Sequence, residues 1–129
     1  MVSSYITGIQ HIGIPTNDIE KTEAFYHELG FETAFETVNE AAGEKVKFLR
    51  CKNIVIETYE NHQAALRNGA IDHLALDVTD IEETFRQIKA AGYPMLDEEI
   101  QFLPFWERGV KFFTIEGPNK EKIEFSQML

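Results

Sequence analysis

The chain has 129 residues, 43% of them apolar or aromatic and 26% charged, which is the length and composition of about one globular domain. Its 12 Lys and Arg stand against 22 Asp and Glu, and the net charge of −10 repels nucleic-acid phosphates and anionic membranes, excluding both as partners. Residues 1–10 lack the basic-then-apolar order of a secretory leader, and no run of ~18 apolar residues is present to span a bilayer, so a cytoplasmic protein is expected. The single Cys51 cannot form an internal disulfide and reads as a structural thiol.

The apolar segment 9–14 predicts a first strand, followed by a polar turn. Asp18 is placed to cap a helix reaching Leu29, with Ile19, Thr22, Phe25, Tyr26 and Leu29 on one face and Gly30 ending it. Strands are expected over 32–37, 46–50 and 54–59, with a hairpin turn at 39–44. The uneven polar stretch 60–69 reads as a linker, with a helical turn about 64–67. The pattern then starts again. Ile71-Asp72-His73-Leu74-Ala75-Leu76 reproduces Ile9-Gln10-His11-Ile12-Gly13-Ile14 at an offset of 62 residues, and Asp80-Ile81-Glu82 falls on Asp18-Ile19-Glu20. The second copy predicts a helix from Asp80 to Gly92 carrying Ile81, Phe85 and Ile88, then strands over 95–100, 110–114 and 123–125, with a turn at 117–120. Each half is βαβββ, and a period of half the chain means two paired modules rather than a solenoid.

Four ionisable residues occupy matching places in the two copies: His11 and His73 in the first strands, Glu57 and Glu124 in the last. Alternation along a strand turns Ile56 and Ile123 to one face and Glu57 and Glu124 to the other. A carboxylate inside Ile54-Val55-Ile56-Glu57-Thr58-Tyr59 needs a partner if it is buried, and the arrangement occurs twice. Two imidazoles and two carboxylates suit a divalent first-row metal with open positions for water or substrate.

Together, Ile9-Gln10-His11-Ile12-Gly13-Ile14, the run from Asp18 to Phe31, Ile56-Glu57, Asp72-His73-Leu74-Ala75-Leu76-Asp77-Val78, and the closing Gly117-Pro118-Asn119 with Lys122-Ile123-Glu124-Phe125 resemble the vicinal oxygen chelate (glyoxalase/bleomycin resistance/dioxygenase) superfamily. Within it the likeness is to short glyoxalase I (lactoylglutathione lyase)-like proteins. The resemblance implies an α+β fold in which one domain, 1–129, pairs two βαβββ modules, about 5–60 and 70–128, into an open curved mixed sheet. It implies that His11, Glu57, His73 and Glu124 hold one divalent ion per site (nickel, zinc, cobalt or manganese), shared across a homodimer. It also implies a lyase or isomerase reaction on a hemithioacetal or related α-hydroxycarbonyl: a carboxylate removes a proton next to a carbonyl, a metal-bound enediolate forms, and the proton returns to the adjacent carbon. Glu124 is the expected base, with Glu57 in the mirrored role. A metal-dependent epimerase of a small acid, acyl thioester or sugar derivative is the second reading, and a non-catalytic resistance-type binding protein the third.

One departure bears on the substrate. Glutathione-using relatives carry an Arg four positions after the first ligand, and Pro15 stands there. Asn61, four after Glu57, matches a second glutathione contact, and Arg50, Arg67, Arg108 or Lys111 is expected to supply charge from elsewhere. The aromatic stretch 100–109, with Phe102, Phe105 and Trp106, reads as a loop over a small-molecule pocket. His27 and His62 have no mirrored counterpart and are expected in solvent.

Overall fold

Asp18 and Asp80 end a loop and start a helix by the same chemistry. Each holds an extended backbone, and its carboxylate accepts a hydrogen bond 3.0 Å from the amide three residues on, Lys21 in one case and Glu83 in the other. The computed structural model describes residues 1–129 and divides into two units, Met1–Ala64 and Ala65–Leu129.

In the first unit the order is β1 (Ile12–Thr16), α1 (Ile19–Glu28), β2 (Glu32–Asn39), β3 (Glu44–Cys51) and β4 (Ile54–Glu60). The sheet order is β1-β4-β3-β2, with β1 parallel to β4 and the other pairs antiparallel. The second unit repeats this with β5 (Leu74–Asp77), α2 (Ile81–Ala90), β6 (Gln101–Leu103), β7 (Val110–Glu116) and β8 (Lys122–Met128), in sheet order β5-β8-β7-β6. Both sheets are open and mixed. No helix is long and apolar enough to cross a membrane.

The two faces of each sheet differ in kind. The face under α1 buries Leu49, Ile56 and Thr58 against Ile19 and Tyr26, and the face under α2 buries Phe113, Ile115, Ile123 and Phe125 against Ile81 and Ile88. Strand alternation leaves Phe48 and Glu57 on the opposite face of the first sheet, and Phe112, Thr114, Lys122 and Glu124 on that of the second. The helix entries are tied back to the last strands. The Ile19 amide donates to Glu60 Oε2 and the Ile81 amide to Gln127 Oε1, both at 2.8 Å.

Three expectations need correction. The first strand of each module begins at Ile12 and Leu74, so His11 and His73 stand just outside the sheet, and Ile9 and Ile71 are exposed. The register explains this: Ile12 lies opposite Ile56 and Leu74 opposite Ile123, so Ile9 and Ile71 would face the turns before β4 and β8, where Lys52 and Lys120 have positive φ. No strand covers 95–100. Met95 makes one isolated bridge to Ile115, and the strand proper is Gln101–Leu103. Pro94 has no amide proton to donate, and the acidic Asp97-Glu98-Glu99 run suits a strand poorly. The linker holds no helical turn either, because His62 and Leu66 adopt left-handed backbone conformations.

Candidate active site

Each unit brings one His and one Glu together on its helix-free face. In the first, the parallel register sets Gly13 opposite Glu57, and His11, two residues upstream, reaches to 4.0 Å between Nε2 and Glu57 Oε1. Its Nδ1 lies 2.9 Å from Gln10 Oε1, and its ring meets Phe48 edge-on with centroids 5.7 Å apart. In the second, Ala75 lies opposite Glu124, and His73 Nε2 stands 3.3 Å from Glu124 Oε2. His73 Nδ1 is 2.9 Å from Asp72 Oδ2.

The two pairs differ in environment. The Glu124 side chain is 17% accessible and that of Glu57 is 28%. A hollow of about 290 Å³ opens beside the second pair, lined by His73, Glu124, Asp97, Phe112, Thr114 and Lys122 among others. Burial pushes the Glu124 carboxyl above its ordinary value; the facing His73 opposes this and the negative charge of Asp97 adds to it. The hydrogen bond to His73 and then that to Lys122 hold the Asp72 carboxyl below its usual range.

The donor chemistry of the second pair is informative. A carboxylate only accepts, so the Asp72 contact requires the His73 proton on Nδ1. Nε2 stands 3.3 Å from a carboxylate oxygen, so it either carries a second proton that it donates to Glu124 or is a lone pair that shares a cation with it. Two atoms that each ligate one divalent ion at ~2.1 Å stand about 3–3.5 Å apart. His73 and Glu124 meet that spacing, and His11 and Glu57 at 4.0 Å exceed it modestly. Within neither unit do three or more His, Cys, Asp or Glu side chains gather to hold an ion, so each unit offers two donors.

The remaining expected residues are placed as follows. Asn61 follows β4, and its side-chain oxygen accepts from the Gln63 amide at 2.9 Å. Phe102 lies in β6, Phe105 and Trp106 follow it, and all three are exposed. Arg108 is exposed at the end of the same loop. Lys111 points to the α2 side of its sheet, where Nζ meets Glu82 at 2.8 Å, and none of these residues lines the hollow. His27 is held by Thr33 at 2.8 Å and lies 4.0 Å from Glu23, and His62 lies 3.6 Å from Glu60. Gln10 and Asp72, which fix the two imidazoles, went unremarked in the sequence. Their signal was available, because each directly precedes its histidine at the same place in the repeat.

Residues 8–125 match the family model of the Glyoxalase/Bleomycin resistance protein/Dioxygenase superfamily. The chain belongs to that superfamily. Among its relatives, the Bacillus subtilis (strain 168) protein YwbC, itself uncharacterized, is 32% identical over 92% of this chain and 96% of its own. A glyoxalase family protein from Enterococcus faecalis has the same fold, with a TM-score of 0.80 at 23% identity over 95% of this chain and 98% of that one. The fosfomycin resistance protein FosX from Listeria monocytogenes, whose structure holds Mn(II) and sulfate, aligns with a TM-score of 0.73 at 20% identity, covering 96% and 94%. The vicinal oxygen chelate fold implied by the family resemblance is therefore the fold observed, α+β with two open mixed sheets.

Proposed function

We propose that the chain is a metal-dependent isomerase or lyase of the glyoxalase I type, acting on a hemithioacetal or a related small α-hydroxycarbonyl. The observation that carries the reading is the doubled His/Glu pair, above all His73 Nε2 against Glu124 Oε2 at 3.3 Å beside a hollow of small-molecule size. His11, Glu57, His73 and Glu124 would hold one divalent ion in a homodimer, the two pairs coming from different chains. When bound, the ion supplies Lewis acidity, drawing charge from neighbouring substrate oxygens and easing loss of the proton on the carbon between them.

The chain's own residues do the rest. Glu124 takes the carbon-bound proton on a carboxylate oxygen and returns it to the adjacent carbon, so the substrate is isomerised with no net gain or loss of atoms. Its partial burial raises its proton affinity above that of an exposed glutamate, which suits a group that must both accept and release a proton. Glu57 is more exposed and lies opposite Phe48, so it serves better as a holder than as the base. Pro15, opposite Tyr59, supplies no cation where glutathione-using relatives have Arg, which favours a substrate other than a glutathione adduct.

The test pairs elemental analysis with solvent deuterium exchange. Protein purified without chelator should hold about one equivalent of divalent metal per chain, lost in the His11→Ala/His73→Ala double variant. It should catalyse deuterium incorporation into one of a panel of hemithioacetals and α-hydroxycarbonyls, and Glu124→Gln should slow this by about 10²- to 10⁴-fold. Turnover unaffected by metal removal and by Glu124→Gln refutes the proposal.

A further inference from the structure

The helix-free face of the second unit holds one network with no assigned role. Both oxygens of Asp72 are engaged: Oδ2 meets His73 Nδ1 at 2.9 Å, while Oδ1 accepts from Asn68 Nδ2 at 2.7 Å and from Lys122 Nζ at 3.2 Å. Its donors come from separate segments, Asn68 from the stretch before the repeat restarts and Lys122 from the first position of β8. Lys122 and Glu124 are two apart on one strand and share a face. Two of the three donors thus fix the carboxylate, and the carboxylate fixes the third, the imidazole. In the first unit the equivalent contact is made by the neutral side chain of Gln10, so the two histidines receive different electrostatic support from the same position of the repeat.

We infer that Asp72 is a positioning residue: it fixes the His73 ring with a proton on Nδ1, so that Nε2 is the ring atom offered to a cation shared with Glu124. The inference deepens the proposed function and rests on it. A carboxylate cannot donate, so the alternative tautomer, with its proton on Nε2, would leave a ring lone pair against Asp72 and turn an N–H towards Glu124. The anionic partner also makes Nε2 a stronger donor to a metal than a neutral amide would, and a ring with a fixed partner need not be reoriented on binding.

The test uses the full chain and two independent readouts. In metal-stripped protein, at a pH high enough for the imidazole to be neutral, ¹⁵N shifts should show the His73 proton on Nδ1 in the parent and shifted towards Nε2 in Asp72→Ala. Zinc affinity, measured by competition with a chromophoric chelator, should fall by about 10- to 100-fold in Asp72→Ala and by less in Asp72→Asn, whose carbonyl can still accept. Asp72→Asn keeps the test informative if the alanine variant does not fold. An unchanged tautomer, or zinc affinity within twofold of the parent while His73→Ala loses binding, overturns the inference and leaves the metal reading standing. Unchanged affinity in His73→Ala as well removes the metal reading, and the inference with it.

Discussion

Replacing Lys47 by Met tests what holds the first module's helix to its sheet. Lys47 Nζ lies 2.7 Å from Glu23 Oε1 and 3.3 Å from Glu20 Oε2 on α1, and the Lys47 and Glu23 side chains are only 12% and 18% accessible. Methionine keeps the apolar stem against the helix but leaves the Glu23 carboxylate with the Thr33 hydroxyl, 2.6 Å away, and the more distant His27. Removing one partner from a fully buried pair costs about 3–5 kcal/mol, and the residual access to water together with the retained Thr33 bond lowers this to about 2 kcal/mol. For a chain of this size that is a fall of about 8 °C in thermal midpoint. Burial pushes the Glu23 carboxyl up, but the bonds from Lys47 and Thr33 and the Lys47 charge outweigh it and leave the group below its ordinary 4.5. A depressed carboxyl contributes stability above its unfolded value and loses it as the pH falls through the lower native one. The gap between parent and Lys47→Met should therefore be full at neutral pH and close in acid below about pH 4, as read by urea unfolding at a series of pH values. A loss below about 0.5 kcal/mol, or a gap independent of pH over that range, would refute the reasoning.

Adding zinc to chelator-stripped protein at about 100 times its dissociation constant should stabilise the folded state by about 2.7 kcal/mol, read as a rise in thermal midpoint. The rise should disappear in His73→Ala; an equal rise there would mean that zinc binds elsewhere. Gly109 has φ +93°, and a Cβ at that position would run into the Phe102 ring and lie 3.2 Å from the Leu103 carbonyl oxygen. Gly109→Ala should cost about 1–3 kcal/mol in equilibrium unfolding, and an unchanged midpoint would show that β6 yields freely.

The repeat makes most of this architecture legible in the sequence. Asp18 and Asp80, with Gly30 and Gly92, bracket both helices because caps and left-handed stops depend on local chemistry that a short window contains. The matching places of His11 with His73 and of Glu57 with Glu124 in the repeat, with strand alternation turning both glutamates away from the core, pointed to the two His/Glu sets. Other features depended on partners distant in the chain. Ile9 and Ile71 look like strand residues until the parallel register shows that β4 and β8 begin too late to pair with them. Lys111 looks like free charge until Glu82, on α2, is found beside it.

The same register explains why the site residues recur where they do. A parallel β1–β4 pair and a parallel β5–β8 pair each set a small residue, Gly13 or Ala75, opposite the glutamate, and that small residue leaves room for the imidazole two positions upstream to reach across. Shifting either pair by one residue would turn its glutamate under the helix, where Ile56 and Ile123 are fully or almost fully buried and an unpaired carboxylate would cost several kcal/mol. The core therefore enforces the register, and the register enforces the His/Glu contact. What the core does not enforce is the residue before each histidine, which lies outside the sheet. There the two modules have diverged, to Gln10 in one and Asp72 in the other, and it is at this unconstrained position that the fold is free to tune one imidazole differently from its counterpart.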